Sequence, residues 1–263
     1  MPDIEFFWVD AFADKAFTGN PAVVCVHRED VETAMLQEAA REFNVSETVF
    51  IRGGDGRYDI RWFTPTRELP LVGHATLAAA HVIMTAIEPG RTALTFTSHL
   101  SGALPAFLDG GKVAITLPAD ELSPVTPPEA LVAGLGVRPA ETWVGRHYVA
   151  VLESAEAVRA VRPVLTSLEN LDRPTIAVTA PGADCDYVLR FFAPSNGVPE
   201  DPVSGVAQCS LVPLCANRIG RNQLRSVQLS ERGGAMDCRL TDEGVVVAGP
   251  CRTLVRGVFS LSD

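Results

Sequence analysis

Residues 61–83 and 189–214 read as two copies of one unit, and no other feature narrows the fold as much. Arg61-Trp62-Phe63-Thr64-Pro65 aligns with Arg190-Phe191-Phe192-Ala193-Pro194. With three more residues in the second copy, Glu68-x-Pro70-x-x-Gly73-x-Ala75 meets Glu200-x-Pro202-x-x-Gly205-x-Ala207. One such unit in each half predicts a duplicated fold. Where the copies differ, chemistry is the first suspect: Leu69 faces Asp201, Val72 faces Ser204 and His74 faces Val206.

Short strand-like runs dominate both halves. They are 6–9, 22–26, 48–51, 58–63, 94–97 and 113–117, then 148–152, 175–179, 187–192, 227–229, 245–247 and 254–259. Turn residues bound most of them, as antiparallel sheet requires. Strands do not alternate regularly with helices, which counts against a Rossmann-type sheet. Residues 118–128 hold four prolines, which neither pair in a central strand nor continue a helix. They are read as a linker between a domain of residues 1–117 and one of residues 129–263, with the last strand free to return to the first.

Three helices are expected. Val31–Phe43 places Val31, Met35, Leu36, Ala39 and Phe43 at helical spacing, with Asp30 as N-cap. The other two, His74–Met84 and Val206–Ala216, are apolar on nearly every face and so belong inside. Pro213 should kink or end the second. The expected architecture is α+β: two pseudo-symmetric barrels of antiparallel strands, each wrapped around a central helix.

Composition bounds the partners. The net charge is −10 with no Lys/Arg cluster, which disfavours nucleic acid. It leaves room for a small anionic substrate held by local amides. The six cysteines form no C-x-x-C pair, as expected of reduced thiols. The acidic start Met1-Pro2-Asp3-Ile4-Glu5 does not resemble a signal peptide, and no apolar run reaches the ~18–20 residues of a membrane span. A cytoplasmic protein, without membrane partners, is expected.

Gly73 and Gly205 each open an apolar helix. The first turn of a helix has N–H groups without intrahelical acceptors and a partial positive charge, so it holds anions. An equally ordinary reading makes each glycine a tight turn. At the helix start His74 is expected as a neutral hydrogen-bonding imidazole, or as a satisfied boundary histidine. Glu47 lies between a helix and an apolar strand. A carboxylate entering a buried strand is costly unless paired, which suits a group that takes and returns a proton; an edge-strand glutamate facing water is the alternative. Asp201 reads either as a second acid of the same site or as a capping acid. No nucleophile elbow, phosphate loop or metal-ligand spacing occurs, so no metal is expected.

Together Asp10-Ala11-Phe12, Gly19-Asn20-Pro21-Ala22-Val23, Asn44-x-Ser46-Glu47-Thr48, Arg61 to Pro65, Gly73-His74-Ala75-Thr76 and Glu200-Asp201-Pro202-Val203-Ser204-Gly205 resemble the PhzF-like phenazine-biosynthesis isomerase family. The resemblance implies a diaminopimelate-epimerase-like fold and a homodimer. It implies proton transfer without cofactor on a small, carboxylate-bearing, possibly cyclic metabolite in a cleft between the halves. Glu47 would be the general acid/base, with His74 and Asp201 polarising or relaying protons. Gly73, Ser204, Gly205 and the Val206 amide would bind substrate. The family's founding members isomerise a dihydro-hydroxyanthranilate.

Three departures qualify this. The paired thiols of related epimerases are replaced by Val72 and Ser204, which excludes a two-thiol racemase. Val206 stands where serine is common, and Gln208 where relatives often carry histidine. The last two motivate the alternative, a catalytically silent small-molecule-binding protein on the same fold.

Overall fold

The first unit is built on period-two alternation. In the computed structural model, which describes residues 3–260, the strands β1 (Asp3–Ala11), β2 (Asn20–Val26), β3 (Glu47–Gly54) and β4 (Arg57–Phe63) lie side by side. Met1 and Pro2 of the acidic start fall outside the described residues, as do 261–263. One face of these strands carries Ile4, Val23, Cys25, Phe50 and Phe63. It packs under Leu36, Ala39 and Ala40 of helix α1 (Thr33–Phe43). The other face meets helix α2 (Gly73–Val82), every residue of which except His81 is buried. Such a helix, apolar all round, is stable only where strands enclose it. Strand β5 (Glu68–Leu69) leads into α2, and β6 (Ala93–Ser98), β7 (Gly102–Asp109) and β8 (Lys112–Leu117) follow it.

The second unit opens with β9 (Ser123–Pro124), helix α3 (Glu129–Leu135), β10 (Glu141–Val144) and β11 (Tyr148–Val151). Helices α4 (Ala155–Ala160) and α5 (Leu165–Leu168) precede β12 (Ile176–Pro181), β13 (Tyr187–Ala193) and β14 (Val198–Asp201). Helix α6 (Gln208–Ile219) is followed by β15 (Gln223–Gln228), β16 (Gly234–Thr241) and β17 (Gly244–Gly249). The core of this unit gathers Leu131, Leu135, Val158, Leu168, Ile176, Val178 and Phe192.

The pairing repeats from one unit to the other. In the first, β1–β2 is antiparallel, β2–β3 parallel, β3–β4 and β4–β5 antiparallel, β4–β6 parallel and β6–β7 antiparallel. In the second, β10–β11, β11–β12, β12–β13, β13–β14, β13–β15 and β15–β16 follow the same order of senses. The sheets are therefore mixed, not wholly antiparallel as the turn chemistry suggested. Each parallel pair spans a helical crossover or the duplicated segment itself.

Side-chain detail is duplicated too. Arg61 Nε and Nη2 donate to Glu68 at 2.8 and 2.7 Å, and Arg190 Nε and Nη2 donate to Glu200 at 2.7 and 2.7 Å. Each guanidinium also lies over the aromatic ring two residues on, Phe63 at 5.1 Å and Phe192 at 4.9 Å. A planar fork facing a carboxylate in plane and a ring across its face fixes both partners, so the repeated Arg and Glu are structural.

Several boundaries differ from the sequence reading. One compact unit comprises residues up to Thr116 together with those from Ala248 onward, and the other is Leu117–Val247. The last strand, β18 (Cys251–Ser260), pairs along β1 from Asp3↔Ser260 to Ala11↔Cys251. Residues 118–128 are part of the second unit: Ser123–Pro124 pair with Trp143 and Val144, and Val125 N–H donates to Thr142 O at 2.9 Å. Helix α1 starts at Thr33 with Glu32, not Asp30, at the N-cap position and no side-chain cap; Asp30 instead pairs with Arg52. After α2 the chain widens into a π-helical turn, Ile83–Ile87. Helix α6 begins at Gln208, since Gly205–Ala207 form tight i→i+3 turns, and it runs through Pro213 to Ile219.

Candidate active site

Alternation along β2 and β3 decides where Glu47 points. Val23 and Cys25 face α1, so Asn20, Ala22 and Val24 take the opposite face, toward α2. The parallel register sets Ala22 beside Glu47, which puts Glu47 on that same face with Val49 and Ile51. Glu47 is 8% exposed and His74, at the second position of α2, is 3% exposed. Their Oε2 and Nε2 atoms stand 3.2 Å apart. The contact lacks the alignment of a full hydrogen bond, as active-site contacts commonly do before substrate tightens them. A buried carboxylate costs several kcal/mol unless it is partnered, and here the partner is an imidazole.

The turns around Glu47 explain its motif. Asn44 ends α1 in the left-handed region at φ 49°, where asparagine is well tolerated, and its N–H donates to Ala40 O at 3.2 Å. Ser46 Oγ–H donates to Pro21 O at 3.2 Å, tying the residue before Glu47 to the neighbouring strand.

Helix α2 starts at Gly73 with Val72 as N-cap, and no side chain caps it. The first amide to donate within the helix is that of Thr76, to Val72 O at 3.0 Å. The amides of Gly73, His74 and Ala75 therefore have no acceptor inside the helix, which is the ordinary condition of a helix start.

In the second unit Ser204 Oγ–H donates to Asp201 Oδ2. Ser204 N–H donates to Gln228 Oε1 at 2.8 Å, and Gln228 Nε2 donates to Asp201 O at 2.6 Å. Asp201 is thus held at the end of β14 and does not cap α6, whose N-cap is Ala207. The hydroxyl and amide of Ser204 are both engaged. Gly205 is buried and Val206 half-buried at the tight turn. Gln208 is fully buried and accepts a hydrogen bond from the Tyr187 hydroxyl.

The sequence-derived residues accordingly form two sets: Glu47, His74 and Gly73 in the first unit, and Asp201, Ser204, Gly205 and Val206 in the second. Asn20 joins the first set and was missed as a site residue. Its Nδ2 lies 3.1 Å from His74 Nδ1. Its signal was the Gly19-Asn20-Pro21 turn, which by itself reads only as a turn. Cys209, the cysteine nearest Gly205, is pushed up to about 12 by burial, as are Cys215 and Cys238. Among the described residues no group of three or more His, Cys, Asp or Glu could hold a metal ion. No helix among them is long and apolar enough to cross a membrane.

The family model of the phenazine biosynthesis-like proteins (PhzC-PhzF) matches residues 9–134 and 138–257. The chain belongs to the phenazine biosynthesis-like family. A curated relative, an uncharacterized isomerase of Pseudomonas aeruginosa, is 42% identical over 262 residues, covering 98% of this chain and 99% of its own. A crystal structure of a PhzF-family protein from Enterococcus faecalis superposes with a TM-score of 0.94 at 34% identity, covering 99% of this chain and 100% of the other. A probable proline racemase from Agrobacterium radiobacter shares the fold alone. Its TM-score is 0.67 at 11% identity, over 98% of this chain and 93% of its own. The architecture is thus the α+β fold of two pseudo-symmetric barrels that PhzF proteins have in common with such racemases.

Proposed function

We propose that the protein is a cofactor-independent isomerase that moves a proton between carbon atoms of a small carboxylate-bearing metabolite. Glu47 takes the proton from one carbon and returns it to another. The observation that carries this reading is the burial of Glu47 beside the His74 imidazole, at the start of a wholly buried helix. A carboxylate so placed has no need to be there for packing, and a polar partner is provided for it. His74 and Asp201 polarise or relay protons in this scheme. Gly73, Ser204, Gly205 and Val206 hold the substrate's anionic group, Ser204 after exchanging its present partners. The isomerase named among the relatives supports the reaction class. The homodimer that the family resemblance implies belongs to the same proposal, and light scattering checks it.

The test is Glu47→Gln, which keeps the side-chain shape and removes the base. Candidate substrates are incubated in deuterated water, and both isotope incorporation and product are followed, because a single base can return the same proton. Positioned acid/base groups contribute ~10²–10⁴ in rate, so turnover should fall by at least about a hundredfold with the melting transition preserved. Wild-type turnover in the variant rejects the assignment. Val206, which lacks the hydroxyl common at its position, favours a competing reading as a silent binder. That reading requires a ligand recovered unchanged, without isotope, from the wild-type protein.

A further inference from the structure

The Gly19-Asn20-Pro21 turn has no part in the chemistry proposed above, yet it is built with more constraint than a loop needs. Gly19 sits at φ +71°, and a Cβ on it would come 2.2 Å from the Ala11 carbonyl oxygen. Only glycine brings the chain so close while turning left-handed. The fully buried Asp10 accepts the Phe17 N–H at 3.1 Å, pinning the loop before it. The Pro21 carbonyl accepts from Ser46, the residue just before the next strand. Asn20, held between these anchors, is itself fully buried.

We propose that Asn20 is a positioning residue that fixes His74 as the Nε2–H tautomer, so that His74 holds Glu47 Oε2 and leaves the other carboxylate oxygen to carry the substrate proton. An amide nitrogen can only donate. With Asn20 Nδ2 at 3.1 Å from Nδ1, that ring nitrogen is the acceptor, and a neutral imidazole then bears its proton on Nε2. Nε2 is the atom 3.2 Å from Glu47 Oε2. Donation from Nε2–H suits both states of the acid. An ionised Glu47 accepts it, and a Glu47 protonated on its other oxygen still offers Oε2 as a carbonyl acceptor. The contact therefore persists while the proton comes and goes. Aspartate at position 20 would accept from Nδ1–H instead, leaving a bare ring nitrogen facing Oε2. Leucine would leave Nδ1 without its donor.

The tautomer follows from the Asn20–His74 contact alone, whereas the positioning role rests on the reading of Glu47 as the acid/base. The test therefore needs no substrate. Two-bond proton–nitrogen correlation spectra of histidine-labelled protein separate the two tautomers, and His74→Gln identifies the His74 signals. The wild-type protein should show the proton on Nε2. In Asn20→Asp it should move to Nδ1 or occupy both nitrogens, and in Asn20→Leu the single-tautomer pattern should be lost. His27, His81, His99 and His147 should keep their resonances as a check on the fold. A wild-type spectrum with Nδ1–H overturns the proposal without any variant. So does an unchanged His74 pattern in Asn20→Leu, which serves if the aspartate variant fails to fold. Loss of turnover in Glu47→Gln with a wrong tautomer would leave the isomerase standing and Asn20 without this role.

Discussion

His147 lies in the second unit with its ring edge-on to Phe191, centroids 5.0 Å apart, and with Nδ1 bonded to the Thr175 hydroxyl. Burial pushes its pKa down from 6.5 to about 4, outweighing the attraction of Asp120; Arg146 adds slightly to the depression, and the Val206 carbonyl opposes it. The folded protein keeps this imidazole neutral while the unfolded chain protonates it. Stability from this group is therefore whole above pH ~6.5 and is lost as pH falls from there to about 4. At ~1.4 kcal/mol per unit the loss is on the order of 3 kcal/mol. His147→Asn, which cannot take the proton, should flatten the wild-type decline by that amount in urea unfolding measured at stepped pH. A decline as steep in the variant would assign the acid sensitivity to other groups. At this scale the sequence was partly legible. Glu47 and His74 stood out because a carboxylate or imidazole amid apolar residues is conspicuous. Asn20 did not, since an asparagine in a Gly-Asn-Pro turn already has a sufficient local explanation. Only the contact with a residue far along the chain gives it a role.

Among the elements, the strands that carry an apolar run were readable, and those whose run is interrupted were not. Strand β7 carries Pro105 and β16 carries Asp237 and Arg239, so neither shows the apolar run that marks a buried strand. Helices α3, α4 and α5 are seven residues or fewer, too short for a helical period to declare itself. Helix α6 persists through Pro213 because its apolar face is buried and tertiary packing outweighs one missing amide. The duplicated Arg–Glu pairs were visible as a repeat but not as ion pairs, and they differ in a way that can be measured. Arg190 also donates to the Val161 carbonyl at 2.6 Å, and its side chain is 11% exposed. Arg61 is 25% exposed and finds the Thr33 hydroxyl at 3.0 Å instead. Arg190→Met takes the guanidinium from Glu200 and removes a donor from the Val161 carbonyl, at the more buried of the two arginines, and should cost about 3 kcal/mol. Arg61→Met should cost roughly half as much, because Arg61 is itself the more exposed of the two arginines and binds a hydroxyl in place of a backbone carbonyl. Shifts in denaturant midpoint decide between them, and equal shifts would mean that the carbonyl contact adds nothing.

For the whole molecule, the proline-rich segment 118–128 was the natural place to divide the chain, because proline marks both linkers and turns, and sequence does not separate the two. The structure uses it as an edge: Ser123–Pro124 form a two-residue pairing beside β10. The chain passes from one unit to the other near Thr116 and returns near Ala248. That connectivity has a consequence for fragments. Leu117–Val247 is continuous and contains the core built from Leu131, Val158, Leu168, Ile176 and Phe192. A continuous unit with its own core should fold alone, giving dispersed amide resonances and a cooperative melt. Residues 1–116 lack β18, which pairs with every residue from Asp3 to Ala11, and whose Phe259 packs with Phe6 and Phe43. Expressed alone they should expose the edge of β1 and aggregate. Adding residues 248–263 in trans should recover soluble, folded material. If the first fragment folds unaided, β18 is dispensable to its unit. If the second remains molten, its core depends on the rest of the chain.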